Sequence, residues 1–195
     1  DVHGEARLCS TLVPAGSRVL DAGCGTGRVA IRLAELGYRC VGVDNDPSML
    51  EVAIARSTQV TWVHADLAEL DRPAGRDSSG TADASDAVDG PFDLIVAAGN
   101  VIPLLAPGTE ATVVRALARR LAPGGLLVAG FGLDAAHLPL PQAPFGLAEY
   151  DAWCTAAGLV LDRRLATWDG ADFTETATRD GTPGYAVSIH RKPEN

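Results

Sequence analysis

Three glycines alternate at positions 23, 25 and 27 in the stretch VLDAGCGTGRVA, Val19 to Ala30. Apolar residues and an aspartate precede them, and apolar residues at helical spacing follow. Glycine costs about 0.5–1 kcal/mol relative to alanine inside a regular element. Three of them in five residues therefore mark a turn that needs unusual backbone angles or close approach of another group. A strand that enters such a turn and leaves it as a helix is the opening unit of an α/β sheet.

The rest of the chain repeats that unit. Arg18–Asp21 reads as a buried strand, and Val29, Ala30, Leu33 and Leu36 as a helix that Gly37 ends. RCVGVD is the second strand. Asp46 then caps a helix with Pro47 at its first position and Met49, Leu50, Ala53 and Ile54 on one side. VTWVHAD and FDLIVAAG are further strands. Thr109 is placed to cap a helix through Leu121, which stops at APGG before the strand LLVAGF. A helix from Leu147 to Ala157 ends at Gly158, and strands follow near Leu159–Trp168 and Tyr185–Arg191. Strands apolar on both faces predict a doubly wound, Rossmann-like seven-stranded sheet, mostly parallel. The last two strands, with no helix between them, predict an antiparallel hairpin at one edge. Residues 1–195 read as one domain, and Asp71–Pro91, rich in Ser, Gly, Ala and Asp, as a passive surface insertion away from the ligand edge.

Composition narrows the partners. Sixteen basic residues against 25 acidic ones give a net charge of −9. Arg119–Arg120 and Arg163–Arg164 are short pairs rather than a phosphate-coating patch, which argues against nucleic acid. No apolar run reaches membrane-spanning length. Cys9, Cys24, Cys40 and Cys154 lack metal or disulfide spacing and read as small buried residues of a cytoplasmic protein.

The glycine pattern discriminates among cofactors. A nicotinamide fingerprint, G-x-G-x-x-G from Gly23, requires glycine at position 28, which is arginine. The Gly-Lys-Ser/Thr of a P-loop is absent. The pattern D-x-G-x-G-x-G resembles the first motif of the class I S-adenosylmethionine-dependent methyltransferases. VGVD, HADL, FDLIVAAGNV and LAPGGLLVAGF resemble later motifs of that family in the same order. The resemblance implies S-adenosyl-L-methionine as cofactor, held by Asp21, Gly23, Gly25, Gly27, Asp44, Asn45, Met49, Asp66, Leu67, Ala98 and Gly99. In that scheme Asp44 accepts hydrogen bonds from the ribose hydroxyls, and Met49 packs on adenine. Asp66 meets the adenine amino group, and Asp21 orients backbone amides or meets the cofactor's ammonium. Each also has a bland reading: a turn residue for Asp21, a helix-leading acid for Asp44, a cap for Asp66 and core for Met49.

The acceptor is less legible. The Asn/Asp-Pro-Pro-aromatic signature of amine-methylating enzymes is replaced by Ala98-Gly99-Asn100-Val101. Asn100 with Asp134 is too thin a set for a metal, so no metal site is expected. The loops 99–108 and 132–146 are apolar and proline-rich, which suits a small, partly apolar acceptor. Methyl transfer from a sulfonium needs in-line positioning and at most one base. His137 is the candidate base and Asn100 a candidate positioning group, with a surface histidine and a turn-forming asparagine as the alternatives. His3 and Glu5 are weaker candidates, and His64 and His190 read as structural. Only seventeen residues precede Arg18, so a short or missing N-terminal substrate lid is expected. A nicotinamide-dependent oxidoreductase and a non-catalytic cofactor-binding subunit are the competing readings.

Overall fold

The fold follows from strands that are apolar on both faces and so need cover on each. The structure, a computed structural model, describes residues 3–71, 87–174 and 184–194. Its elements are α1 (Gly4–Leu12), β1 (Arg18–Ala22), α2 (Arg28–Glu35), β2 (Arg39–Asp44), α3 (Pro47–Arg56) and β3 (Thr61–His64). They continue with β4 (Phe92–Ala97), α4 (Glu110–Arg119), β5 (Leu121–Gly132), α5 (Leu147–Ala156), β6 (Val160–Leu165) and β7 (Tyr185–Arg191). Short 3-10 turns span Leu67–Asp71 and Ile102–Leu104.

The seven strands form one sheet in the order β3-β2-β1-β4-β5-β7-β6. β1 to β5 run parallel, and β7 runs antiparallel to both β5 and β6. The expected hairpin is present, with β6 at the edge. Alternate residues of each strand serve opposite layers: Leu20, Ile95 and Leu127 pack with Val113 and Leu117 of α4. Val19, Leu94 and Val128 pack with Val29 and Leu33 of α2 and Ala6 of α1. The strand order reverses between β1 and β4, and a crevice opens there beyond the strands' carboxyl ends. No helix among the described residues is long and apolar enough to cross a membrane.

Local chemistry sets the ends. Asp46 caps α3 as expected, its Oδ1 accepting from the amides of Ser48 at 2.8 Å and Met49 at 3.4 Å. Gly37 and Gly158 stand at φ 90° and 82° after α2 and α5. Four expectations need correction. α4 stops at Arg119 rather than Leu121, because Leu121 pairs with Phe92 and is buried as the first residue of β5. The Thr109 side chain makes no cap and donates instead to the Ala106 carbonyl at 2.6 Å. On α3, Leu50 and Ala53 are buried, whereas Met49 and Ile54 are exposed. The stretch before β1, read without secondary structure, contains α1, which lays Ala6, Leu8 and Cys9 against the sheet and α2. Of the expected insertion, residues 72–86 lie outside the described residues. Asp71 at its start pairs with Arg115 at 2.6 Å and Arg119 at 2.7 Å.

Candidate functional site

At the switch between β1 and β4 lies a cavity of about 460 Å³. Gly23 and Gly25 line it from the turn after β1, and Asp44, Asn45, Asp46 and Met49 from the β2–α3 junction. Ala65, Asp66 and Leu67 close a second side, with Gly99, Val101, Leu104, Leu105 and Ala106 on the third. Most of the residues expected around a cofactor are thus brought together. Asp21, Gly27 and Ala98 stand outside the lining.

The three alternating glycines turn out to have three different reasons. All have positive φ, 73°, 52° and 79°, which other residues adopt only with strain. A Cβ on Gly23 would come within 2.7 Å of Val101, and one on Gly27 would run into the Trp62 ring, with Cζ3 at 3.0 Å. A Cβ on Gly25 would meet nothing within 4 Å and would stand in the cavity itself. Trp62 also covers Gly42 of β2 and donates from its indole nitrogen to the Ser57 carbonyl at 3.0 Å. Sequence reasoning missed this residue. Its signal was a bulky side chain on β3 facing a glycine on the neighbouring strand.

The carboxylates are held by backbone. Asp44 accepts from the Gly25 amide through Oδ2 at 2.7 Å and from the Asp46 amide through Oδ1 at 2.9 Å. Each oxygen keeps a lone pair that can face the cavity. Asp66 caps the Leu67–Asp71 turn, Oδ1 accepting from Ala68 at 2.8 Å. Leu67 opens that turn, so its amide has no acceptor within it. Asp21 is buried, with Oδ2 accepting from the Ala30 amide at 3.1 Å. Burial pushes its carboxyl up to about 7 against the lowering effect of that amide and of Arg28. Arg28, the residue that breaks the nicotinamide fingerprint, is clamped by both oxygens of Glu5 at 2.6 and 2.7 Å. This ion pair ties α1 to the start of α2. Cys24 is buried, and that burial, with Asp21 and Asp44 nearby, raises its thiol far from nucleophilic thiolate.

Asn100 and His137 do not line the cavity. Asn100 holds φ 65°, and its side chain bridges backbones: Oδ1 accepts from Gly132 at 2.8 Å and Nδ2 donates to the His137 carbonyl at 3.0 Å. His137 Nδ1 lies 2.7 Å from Asp134 Oδ1. His64 meets the Asn45 carbonyl at 3.1 Å through Nε2. His190 is buried with Nε2 3.2 Å from Asp151.

A doubly wound sheet with a glycine turn after β1 and carboxylates after β2 and β3 defines the Rossmann-like class that binds a nucleoside-bearing cofactor at its switch point. Residues 19–125 match the family model described as a methyltransferase domain. The chain belongs to the class I S-adenosylmethionine-dependent methyltransferase family. It is 29% identical over 185 residues to a probable S-adenosylmethionine-dependent methyltransferase of Mycolicibacterium smegmatis, covering 91% of this chain and 65% of that protein. It is 32% identical over 181 residues to a trans-aconitate 2-methyltransferase of Methylobacterium nodulans, covering 80% and 62%. The chain therefore spans less than two thirds of each of these curated relatives. A TehB-like S-adenosylmethionine-dependent methyltransferase from Corynebacterium glutamicum superposes with a TM-score of 0.78 at 29% identity, over 98% of this chain and 89% of that one.

Proposed function

We propose that this protein transfers the methyl group of S-adenosylmethionine to a small, partly apolar acceptor. The observation that carries the reading is the charge of the cavity. Asp44, Asp46 and Asp66 line it, and its lining among the described residues includes no Arg, Lys or His. A cationic sulfonium is favoured beside such carboxylates, whereas the pyrophosphate of a dinucleotide would face them without a counter-charge. The residues fit the cofactor chemically as well. The two oxygens of Asp44 can accept from a ribose diol, the Met49 thioether and Leu67 offer an apolar seat for a purine, and Gly25 leaves the backbone bare.

When bound, S-adenosylmethionine supplies an electrophilic methyl on a good leaving group. The chain then has to hold an acceptor in line and keep water out. Val101, Leu104, Leu105 and Ala106 form the apolar wall suited to that task, rising from the turn after β4. A bulk polyanion is disfavoured by the net charge of −9. Calorimetry with S-adenosylhomocysteine and with NADH tests the cofactor, and turnover on an acceptor panel tests the transfer. Binding of NADH in preference to S-adenosylhomocysteine would refute the reading. Cofactor binding with no turnover across amine, hydroxyl and carbon acceptors would favour a non-catalytic partner subunit.

A further inference from the structure

We propose that Asp134 and His137 form a general-base dyad on the acceptor side of this site, with Asp134 and Asn100 as positioning residues that aim His137 Nε2. The proposal rests on the methyltransferase reading above and specifies which atom takes the acceptor's proton.

The loop that follows β5 is apolar and proline-rich, and the alternative to a base on it is a histidine that merely decorates the surface, which has no reason to be rigid. It is held from three directions. Asp134 Oδ1 accepts from the amides of Ala136 at 3.0 Å and His137 at 3.1 Å and lies 2.7 Å from His137 Nδ1. From the other side, the Asn100 amide group donates to the His137 carbonyl while accepting from the Gly132 amide. The third direction is steric. A Cβ on Gly132 would stand 2.5 Å from the His137 carbonyl oxygen, and one on Gly184 would stand 2.6 Å from His137 Nδ1. The ends of β5 and β7 are bare where His137 packs.

A turn that needed only a cap would be complete with Asp134. It would not require a left-handed asparagine from the turn after β4, nor one glycine against the His137 backbone and another beneath its ring. Preorganisation of this kind is the signature of a side chain whose orientation matters. Asn100 stands between Gly99 and Val101, which both line the cavity, so the clamp sets the distance from the His137 loop to the cavity rim.

The pairing also fixes the tautomer. The hydrogen bond to His137 holds the Asp134 carboxyl below its ordinary value, so it stays ionised and can only accept. The ring proton is then on Nδ1, and Nε2 carries the lone pair. Both side chains are about half exposed. Among the described residues, the other titratable group facing the ring is Tyr185, with centroids 6.4 Å apart. Burial raises its hydroxyl above the ordinary value, so it stays neutral, and it accepts from the Trp168 indole at 2.9 Å.

The step balances as follows. The acceptor's O–H, or the N–H of its ammonium, gives its proton to His137 Nε2, and the freed lone pair forms the new bond to the methyl carbon. The carbon–sulfur bond breaks with its electron pair going to sulfur, leaving neutral S-adenosylhomocysteine. The imidazolium, paired with ionised Asp134, later returns its proton to solvent.

The test uses the full chain with 15N-labelled histidine, His137 being assigned by its loss in His137→Gln. Nitrogen shifts should report hydrogen on Nδ1 and a bare Nε2. The Nε2 chemical shift of His137 should differ between the complexes with S-adenosylmethionine and S-adenosylhomocysteine, because only the former places a positive charge on the acceptor side of the site. Asp134→Asn should mix the tautomers, and Asn100→Gly should reduce the response to the sulfonium, while His190 is unmoved in both. Identical Nε2 shifts in the two complexes, or hydrogen residing mainly on Nε2, would overturn the dyad with the methyltransferase reading intact. Failure of either ligand to bind would overturn both.

Discussion

Asp44 at the end of β2 accepts the amide proton of Gly25, in the turn after β1, at 2.7 Å. The same carboxylate reaches forward to the Asp46 amide at 2.9 Å. One side chain therefore ties the glycine turn to the start of α3 and fixes two sides of the cavity relative to each other. The Glu5–Arg28 pair adds α1 to the other end of that turn.

Replacing Asp44 should weaken S-adenosylhomocysteine binding about ten- to a hundredfold, roughly 1.5–3 kcal/mol, through lost charge-assisted hydrogen bonds. Isothermal calorimetry on Asp44→Ala reads the loss. Asp44→Asn keeps one acceptor oxygen and should retain an intermediate affinity. An unchanged dissociation constant in folded Asp44→Ala would remove this residue from the cofactor.

Gly27→Ala should destabilise the fold by about 2–4 kcal/mol, combining the positive φ with overpacking against Trp62. Urea melts give the value. Adding Trp62→Phe should recover the steric part but not the backbone part, so the double-mutant cycle separates the two. Full additivity of the two substitutions would show that Trp62 is not what excludes a side chain at position 27.

Asp21 should make stability depend on pH in a definite direction. Its folded-state carboxyl titrates at about 7, well above the ordinary carboxylate value. Between about pH 4 and 7 the folded chain therefore holds a proton that the unfolded chain has lost, and stability falls as pH rises through that window. Asp21→Asn can still accept from the Ala30 amide and should remove this slope. Relative to wild type it should gain a few kcal/mol between about pH 4 and 8. Parallel curves for the two proteins, followed by urea midpoint against pH, would contradict the assignment.

Asn100→Gly tolerates φ 65° but loses both side-chain bonds to Gly132 and His137. Its stability should drop by about 1–2 kcal/mol, while S-adenosylhomocysteine affinity stays within about twofold, since Asn100 does not line the cavity. A tenfold loss of affinity at normal stability would instead place the amide on the cofactor.

Much of this protein was legible in the one-dimensional sequence because its determinants are local. Strand alternation, the cap at Asp46, the stop at Gly37 and the glycine turn each depend on residues a few positions apart, and all stand in the structure. The reading lost accuracy where distant segments compete. Leu121 has the pattern of a helix end, yet the strand partner Phe92 takes it. Met49 and Ile54 fit a helical stripe, but the sheet edge is narrow and covers only Leu50 and Ala53. The assembly of the site is less legible still. That Gly27 yields to Trp62, that Arg28 meets Glu5, and that Asn100 clasps His137 are choices made through space by side chains 35, 23 and 37 positions apart. Sequence by itself determined the sheet, its turns and the carboxylates at its edge, since backbone propensity and capping act over a few residues. Only the tertiary structure decided which side chain fills each gap, because close packing rewards a partner for its shape and charge and is indifferent to its distance along the chain.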